Sequence, residues 1–254
     1  MFPYKAYCFD LDGTIYRGSE AIDSAVKFVH LLQENGIEPY YLTNNSSKTR
    51  ERLQQVLQDI GVDAPLDHIY SSSLATAAYV AKMSANKKVN VVGELGIRTA
   101  LIEQGLEITD EQSDVLVMGI DRQISYEKLV RACDYVQNGA KLIGTNGDIK
   151  FPKETGFTPG NGSFVQLVAN VSGVTPTFVG KPSPVMLQII AEEHHFEKSE
   201  MVMVGDNYDT DILCGINFGC DTIHVNTGVT PTEIVKQQAK LPTYCVENLM
   251  EIIK

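Results

Sequence analysis

The sequence predicts an α/β protein with a doubly wound parallel sheet and a second, smaller α/β unit inserted into it, and three observations predict this. Short apolar runs alternate with helix-periodic segments along the 254 residues on short connections, the pattern of successive βαβ units. Several of these runs stop abruptly in polar or acidic loops, as buried parallel strands do at their carboxyl ends. The alternation also restarts near Lys88, before a further set of such loops begins at Lys181, so the length suits one core domain carrying a large insertion.

The first strand is the run Ala6-Tyr7-Cys8-Phe9, which stops at Asp10-Leu11-Asp12-Gly13-Thr14. A helix is expected over about 21–33, with Ala25, Val26, Val29 and Leu32 at helical spacing and Asn35-Gly36 as its stop. The second strand, at about 40–42, runs into Thr43-Asn44-Asn45-Ser46-Ser47. One helix separates these two strands, which leaves no room there for an inserted domain. A helix near 49–59, a short strand near 68–70 and a helix near 74–83 complete this half.

In the insertion, strands are expected near 89–92, 115–118 and 142–143, and helices near 96–103, 126–136 and 163–170, with a polar Gly- and Pro-rich loop over 145–162. The run 177–179 leads into Gly180-Lys181-Pro182, followed by a helix over 184–193 and a clean apolar strand at 201–204. That strand ends in Gly205-Asp206-Asn207-Tyr208-Asp209-Thr210-Asp211. A helix near 212–217, a strand near 222–225 and a helix opened by Thr230-Pro231-Thr232-Glu233 follow, the last with capping-box spacing and proline at the first helical position. The expected division is a core of residues 1–80 and 178–254 around an inserted unit of 81–177.

Composition bounds the chemistry. A formal charge of −11 speaks against a nucleic-acid or anionic-membrane surface, since both are captured by clustered Lys and Arg. No apolar run is long enough to span a bilayer, and the amino-terminal residues have no signal-peptide pattern. Cys8, Cys133, Cys214, Cys220 and Cys245 are odd in number, scattered and never spaced C-x-x-C, which fits buried or half-buried thiols in a reducing cytoplasmic setting. His194 and His195 close a helix within a polar run and are expected at the surface. Tyr40 and Tyr41 are expected in the sheet.

The strand-end loops carry the candidate chemistry. In open α/β sheets, ligands bind beyond the carboxyl ends of the strands, where Asp10, Asp12, Thr43, Asn44, Asp206 and Asp211 are expected, with Lys181 on a fourth loop. Carboxylates gathered on one rim repel unless a cation neutralises them. Mg2+ takes carboxylate oxygens and retained waters, usually beside a substrate phosphate. The Thr43 hydroxyl, loop N–H groups and the Lys181 ammonium supply phosphate donors without making the protein basic. Phosphate monoesters hydrolyse very slowly unaided, and a carboxylate nucleophile that forms an aspartyl-phosphate is one way to split the reaction. An EF-hand calcium loop is excluded because the position requiring glycine holds Ile15.

Asp10-Leu11-Asp12-Gly13-Thr14, Thr43-Asn44, Gly180-Lys181-Pro182 and Gly205-Asp206-Asn207 with Thr210-Asp211 resemble, in order and strand context, the four motifs of the haloacid dehalogenase-like (HAD) phosphatases. The long insertion between Thr43 and Lys181, the run Val91-Val92-Gly93-Glu94 and the loop Thr145-Asn146-Gly147-Asp148 resemble the branch with a type C2 α/β cap. That NagD-like branch holds 4-nitrophenylphosphatases, nucleotidases and pyridoxal phosphatases. The resemblance implies a Rossmann-like core and a Mg2+-dependent hydrolysis of small phosphate monoesters: nucleoside monophosphates, sugar phosphates, pyridoxal phosphate or 4-nitrophenyl phosphate. It implies Asp10 as nucleophile and metal ligand, and Asp12 as general acid and base with its carbonyl on the metal. Asp206 would ligate the metal directly and Asp211 would act behind it, while Thr43, Asn44 and Lys181 would bind the phosphoryl group. Asn146 and Asp148 are expected as substrate contacts presented by the cap. The resemblance leaves room for a homodimer.

Two rival readings use the same residues. A receiver-type signalling domain also forms a phospho-aspartate, but it would not need residues 88–177. A phosphotransferase or mutase would pass the phosphoryl group to an acceptor hydroxyl instead of water.

Overall fold

The computed structural model describes residues 3–153 and 155–253. The chain begins with β1 (Ala6–Asp10), the two-residue strands β2 (Tyr16–Arg17) and β3 (Glu20–Ala21), α1 (Asp23–Glu34), β4 (Tyr40–Thr43), α2 (Arg50–Asp59), β5 (Ile69–Ser71) and α3 (Ser72–Met83). Next come β6 (Lys88–Val92), α4 (Leu95–Glu103), β7 (Glu107–Ile108), β8 (Val115–Met118), α5 (Tyr126–Gln137), β9 (Lys141–Gly144), β10 (Lys150–Pro152), β11 (Phe157–Pro159), α6 (Asn161–Ser172) and β12 (Thr177–Phe178). The chain finishes with α7 (Val185–His194), β13 (Met201–Gly205), a π-helical turn (Tyr208–Ile212), α8 (Leu213–Phe218), β14 (Asp221–Val225), the one-turn α9 (Thr232–Val235) and β15 (Tyr244–Val246). The fold is α/β with a parallel-sheet core, as the alternation predicts.

Two compact units divide the chain: Met1–Thr43 with Arg50–Tyr70 and Lys181–Lys254, and Asn44–Thr49 with Ser71–Gly180. In the first, the six-stranded sheet has the order β15-β14-β13-β1-β4-β5. β1 pairs in parallel with β13 on one side and β4 on the other. Every residue of β1 and β13 is buried, which is why these strands read as unbroken apolar runs rather than alternating ones. On one face Tyr7 and Phe9 meet the Phe28 ring of α1 at centroid distances of 5.8 and 6.2 Å. The chain leaves β1 toward β4 and returns as β13 on the opposite flank, so the crevice beyond β1 and β13 is a topological switch point.

The second unit has its own five-stranded sheet, β12-β9-β8-β6-β7, parallel throughout. Its core gathers Leu116, Met118, Leu142, Val136, Val165 and Val168 from β8, β9, α5 and α6. The segment Asn44–Thr49 is stitched into this unit. Gly96 N–H donates to the Ser47 carbonyl at 2.9 Å and Ile97 N–H to the Ser46 carbonyl at 3.1 Å. The Ile120 N–H donates to Ser46 Oγ at 3.0 Å. Among the described residues, no helix is long and apolar enough to cross a membrane.

Several local expectations are corrected. Glu20 and Ala21 belong to the β2–β3 hairpin, so α1 starts at Asp23. The 145–162 loop contains the β10–β11 hairpin, and β7 and β15, at two and three residues, are too short to show an alternating pattern. The segment Thr230–Glu233 forms no capping box: Pro231 is itself the N-cap, with no side-chain cap bond, and the Thr230 hydroxyl instead accepts the Tyr208 N–H at 3.1 Å. His195 is exposed, but His194 is half-buried, stacked on Phe196 and set edge-on to Tyr40. A helix-end histidine looks solvated in sequence, and only the neighbouring strands reveal that it is covered. The cysteines are buried or half-buried free thiols, as expected.

Candidate active site

Asp10 is the last residue of β1 and Asp206 the first residue beyond β13; the register pairs Phe9 with Val204, so the two carboxylates leave neighbouring strands side by side. Asp211 is brought back by the π-helical turn, an irregularity that recurs at functional sites. Its Oδ2 accepts the Asn207 N–H at 3.0 Å and its Oδ1 accepts the Thr210 hydroxyl at 3.1 Å. Carboxylate oxygens of Asp10, Asp206 and Asp211 all lie within 4.8 Å of one another, and all three residues are buried.

Lys181 enters this cluster from the loop before α7 and is only 2% exposed. Its ammonium donates to Asp10 Oδ1 at 2.5 Å, to Asp211 Oδ1 at 2.8 Å and to the Leu42 carbonyl at 3.3 Å. Burial alone would drive the lysine toward neutrality, but the two carboxylates outweigh it and raise its pKa. Burial raises the pKa of Asp10 above the usual carboxylate range, against the pull of Lys181 and with the push of Asp211 and Asp206. Asp206 is pushed up to about 6, by burial and then by Asp211, although the Val229 amide and Thr14 hydroxyl favour its charged form.

Ionised together, three carboxylates against one ammonium would leave two negative charges in a buried pocket. Such an excess is costly unless compensated, and a hard divalent cation with oxygen ligands matches both its sign and its donor atoms. The residues present therefore fit a divalent metal.

The other expected residues fall in two places. Asp12 is exposed, and its Oδ1 accepts the Gly18 N–H at 3.3 Å from the tip of the β2–β3 hairpin. Thr43 ends β4 in the same unit, 7% exposed. Asn44, Asn146 and Asp148 form a separate cluster within the second unit. Asn146 is buried, donates to the Asn44 carbonyl at 2.8 Å and accepts the Asp148 N–H at 3.2 Å. The Asn44 side-chain amide reaches the Asp148 carboxylate at 3.3 and 3.4 Å. Asn161, at the start of α6, braces the same loop through the Asn146 carbonyl at 3.1 Å and the Thr145 hydroxyl at 3.2 Å.

The sequence reading missed Thr14, whose hydroxyl donates to Asp206 Oδ1 at 3.1 Å. It also missed Val229, whose N–H donates to Asp206 Oδ2 at 2.6 Å. Thr14 closes the Asp10–Thr14 run, where a threonine after a strand end has no distinctive signal of its own. The available signal for the second was Asn226-Thr227-Gly228 following the β14 run, one more polar loop at a strand's carboxyl end.

Comparison with known proteins adds independent findings. Residues 7–107 match the family described as haloacid dehalogenase-like hydrolase, and residues 178–252 match the related HAD-hydrolase-like family. The chain is 46% identical over 254 residues to the acid sugar phosphatase of Staphylococcus aureus strain MRSA252, covering 100% of this chain and 98% of the relative. A solved structure of a thermostable NPPase double mutant from Geobacillus stearothermophilus superposes with a TM-score of 0.90 at 42% identity, over 98% of this chain and 97% of the other. A 4-nitrophenylphosphatase from Thermotoga maritima gives a TM-score of 0.93 at 30% identity, over 98% and 96% of the two chains.

Proposed function

Because the chain belongs to the haloacid dehalogenase-like hydrolases and is a phosphatase, we propose that it hydrolyses small phosphate monoesters through an aspartyl-phosphate formed on Asp10. The observation that carries this reading is the Lys181 ammonium held between Asp10 and Asp211, beside Asp206, at the sheet's switch point.

In this reading a carboxylate oxygen of Asp10 attacks phosphorus as the bond to the leaving oxygen breaks. Asp12, outside the buried cluster and free of its crowding, gives a proton to that oxygen. It then takes a proton from the water that attacks the phospho-aspartate, which releases inorganic phosphate and regenerates Asp10. Lys181 fixes the direction of the Asp10 carboxylate and offers charge to a phosphoryl oxygen, and the Thr43 hydroxyl donates to another. Asp10 and Asp206, with the Asp12 carbonyl, would hold a divalent cation, for which we propose Mg2+. Asp211, engaged by Lys181, Thr210 and Asn207, would support it from behind. The cation would neutralise charge on the transferring group.

The proposed substrates are sugar phosphates and 4-nitrophenyl phosphate, in keeping with the names of the relatives. The second unit's polar cluster is proposed to contribute substrate contacts through Asn44, Asn146 and Asp148, the half-buried Asp148 carboxylate being suited to accept sugar hydroxyls.

The test is a phosphate-release assay over a panel of monoesters, with and without Mg2+, beside Asp10→Asn. The variant is expected to lose about 10^4-fold or more in kcat, as removal of a nucleophile does. Wild-type turnover by Asp10→Asn would overturn the assignment. Formation of a phosphorylated acceptor in place of inorganic phosphate would favour the transferase reading.

A further inference from the structure

The loop between β14 and α9, residues 226–231, lies outside the four motifs that resemble the HAD phosphatases, yet it packs on Asp206. The carboxylate of Asp206 is 1% exposed and is gripped at both oxygens, by the Val229 N–H on Oδ2 and the Thr14 hydroxyl on Oδ1. Gly228 packs directly against it: a side-chain carbon there would overlap Oδ2. Gly13, at φ +99°, also presses close, since a Cβ on it would lie 2.5 Å from Oδ2. Two glycines from different loops thus leave room for the Asp206 carboxylate that a side chain at either would take.

The loop is itself tied down. The Thr227 hydroxyl donates to the Gly13 carbonyl at 2.6 Å, and the Arg17 guanidinium donates to the Thr227 carbonyl. The Thr230 N–H donates to the Asp206 carbonyl at 3.2 Å. His224, fully buried on β14, points Nε2 at the carbonyls of Asp206 and Thr230, at 3.2 and 2.9 Å. Two carbonyl acceptors require the proton on Nε2, so one N–H ties Thr230 of the loop to the Asp206 backbone beyond β13.

A carboxylate this close to two others would otherwise turn away from them, because like charges repel. An ionised carboxylate offers roughly four lone-pair sites, and the two donors here occupy one on each oxygen, which leaves further sites open on a carboxylate that has an oxygen within 4.8 Å of one from Asp10 and one from Asp211. We propose that residues 226–230 aim the Asp206 carboxylate at the metal position, with Gly228 as the positioning residue that lets the loop close on it. The inference rests on the reading of Asp206 as a metal ligand.

The experiment measures Mg2+ binding to the substrate-free full chain by titration calorimetry, with metal-free thermal unfolding as a separate readout. Gly228→Ala is expected to fold and to raise the Kd for Mg2+ about 10- to 100-fold, the usual effect of disturbing a group that orients a ligand. Its KM for substrate at saturating Mg2+ should change far less. A folded Gly228→Ala with wild-type Mg2+ affinity would overturn the proposal. If that variant does not fold, Thr227→Val decides, since it deletes the bond that ties the loop to the Gly13 carbonyl and keeps the shape: a Kd raised about 10-fold supports the proposal and an unchanged one rejects it. Asp206→Asn separates the two layers. If it binds Mg2+ like the wild type, the metal reading itself falls and the aiming role with it; if it loses binding while Gly228→Ala does not, only the aiming role falls.

Discussion

Lys181 sets a single ammonium against the carboxylates of Asp10, Asp206 and Asp211, and that arithmetic governs the residue scale. Breaking a buried ion pair by deleting one partner costs more than the pair contributes, because the remaining charge is stranded. Lys181→Met should therefore destabilise the protein by about 3–5 kcal/mol in urea unfolding. Added Mg2+ should recover part of that loss. A variant as stable as the wild type without metal would mean that the carboxylates already share protons. Reading Lys181 as a phosphate ligand was possible from its place before a proline-led helix; its second bond, to Asp211, was not, because that depends on the π-helical turn.

Among the elements, α7 is held to β4 and β5 by rings and one polar chain. Tyr40 stacks on His68 at 4.3 Å and meets His194 edge-on at 4.7 Å. The Tyr70 hydroxyl donates to Glu193 Oε2 at 2.6 Å and lies 3.0 Å from His194 Nε2. Burial, followed by the nearby His68, holds the His194 pKa below its usual value, against the opposing pull of Glu193 and Asp67. The folded imidazole is thus neutral at a pH where the unfolded chain, titrating near about 6.5, already binds a proton. Its stabilising contribution is intact above that value and is lost as pH falls below it through the lowered pKa. Urea midpoints between about pH 5 and 7 should rise with pH from this source, and His194→Leu should flatten the slope. An unchanged slope would remove His194 from the account.

At the scale of the whole molecule, the acidic excess of the active site is a liability that ligand binding relieves. If a divalent cation occupies the cluster, Mg2+ at about 100 times its Kd should add about 2.7 kcal/mol to unfolding stability, and a chelator should take it away. The expected readout is an upward shift of Tm with Mg2+ that Asp206→Asn largely lacks. A Tm indifferent to Mg2+ in the wild type would contradict the reading of the site. The same local logic would let a chain of formal charge −11 handle an anionic substrate: a cation in the cluster, together with Lys181, would offset the carboxylates locally without positive charge spread over the surface.

The sequence by itself determined the α/β class and the strand ends that carry Asp10, Thr43 and Asp206. Buried parallel strands must be apolar throughout, so their ends stand out wherever polar residues begin. It also exposed Lys181 and Asp211 as candidates by order along the chain. Tertiary structure alone decided that Asn44 is held with Asn146, Ser72 and Ser46 in the second unit rather than with Thr43, its neighbour in the chain. It alone covered His194, turned Thr230 from a helix cap into a ligand for the Tyr208 amide, and closed residues 226–230 around Asp206. These outcomes depend on which backbone groups meet across more than a dozen residues of separation. Periodicity and capping patterns describe only neighbours along the chain, so they carry no record of such meetings.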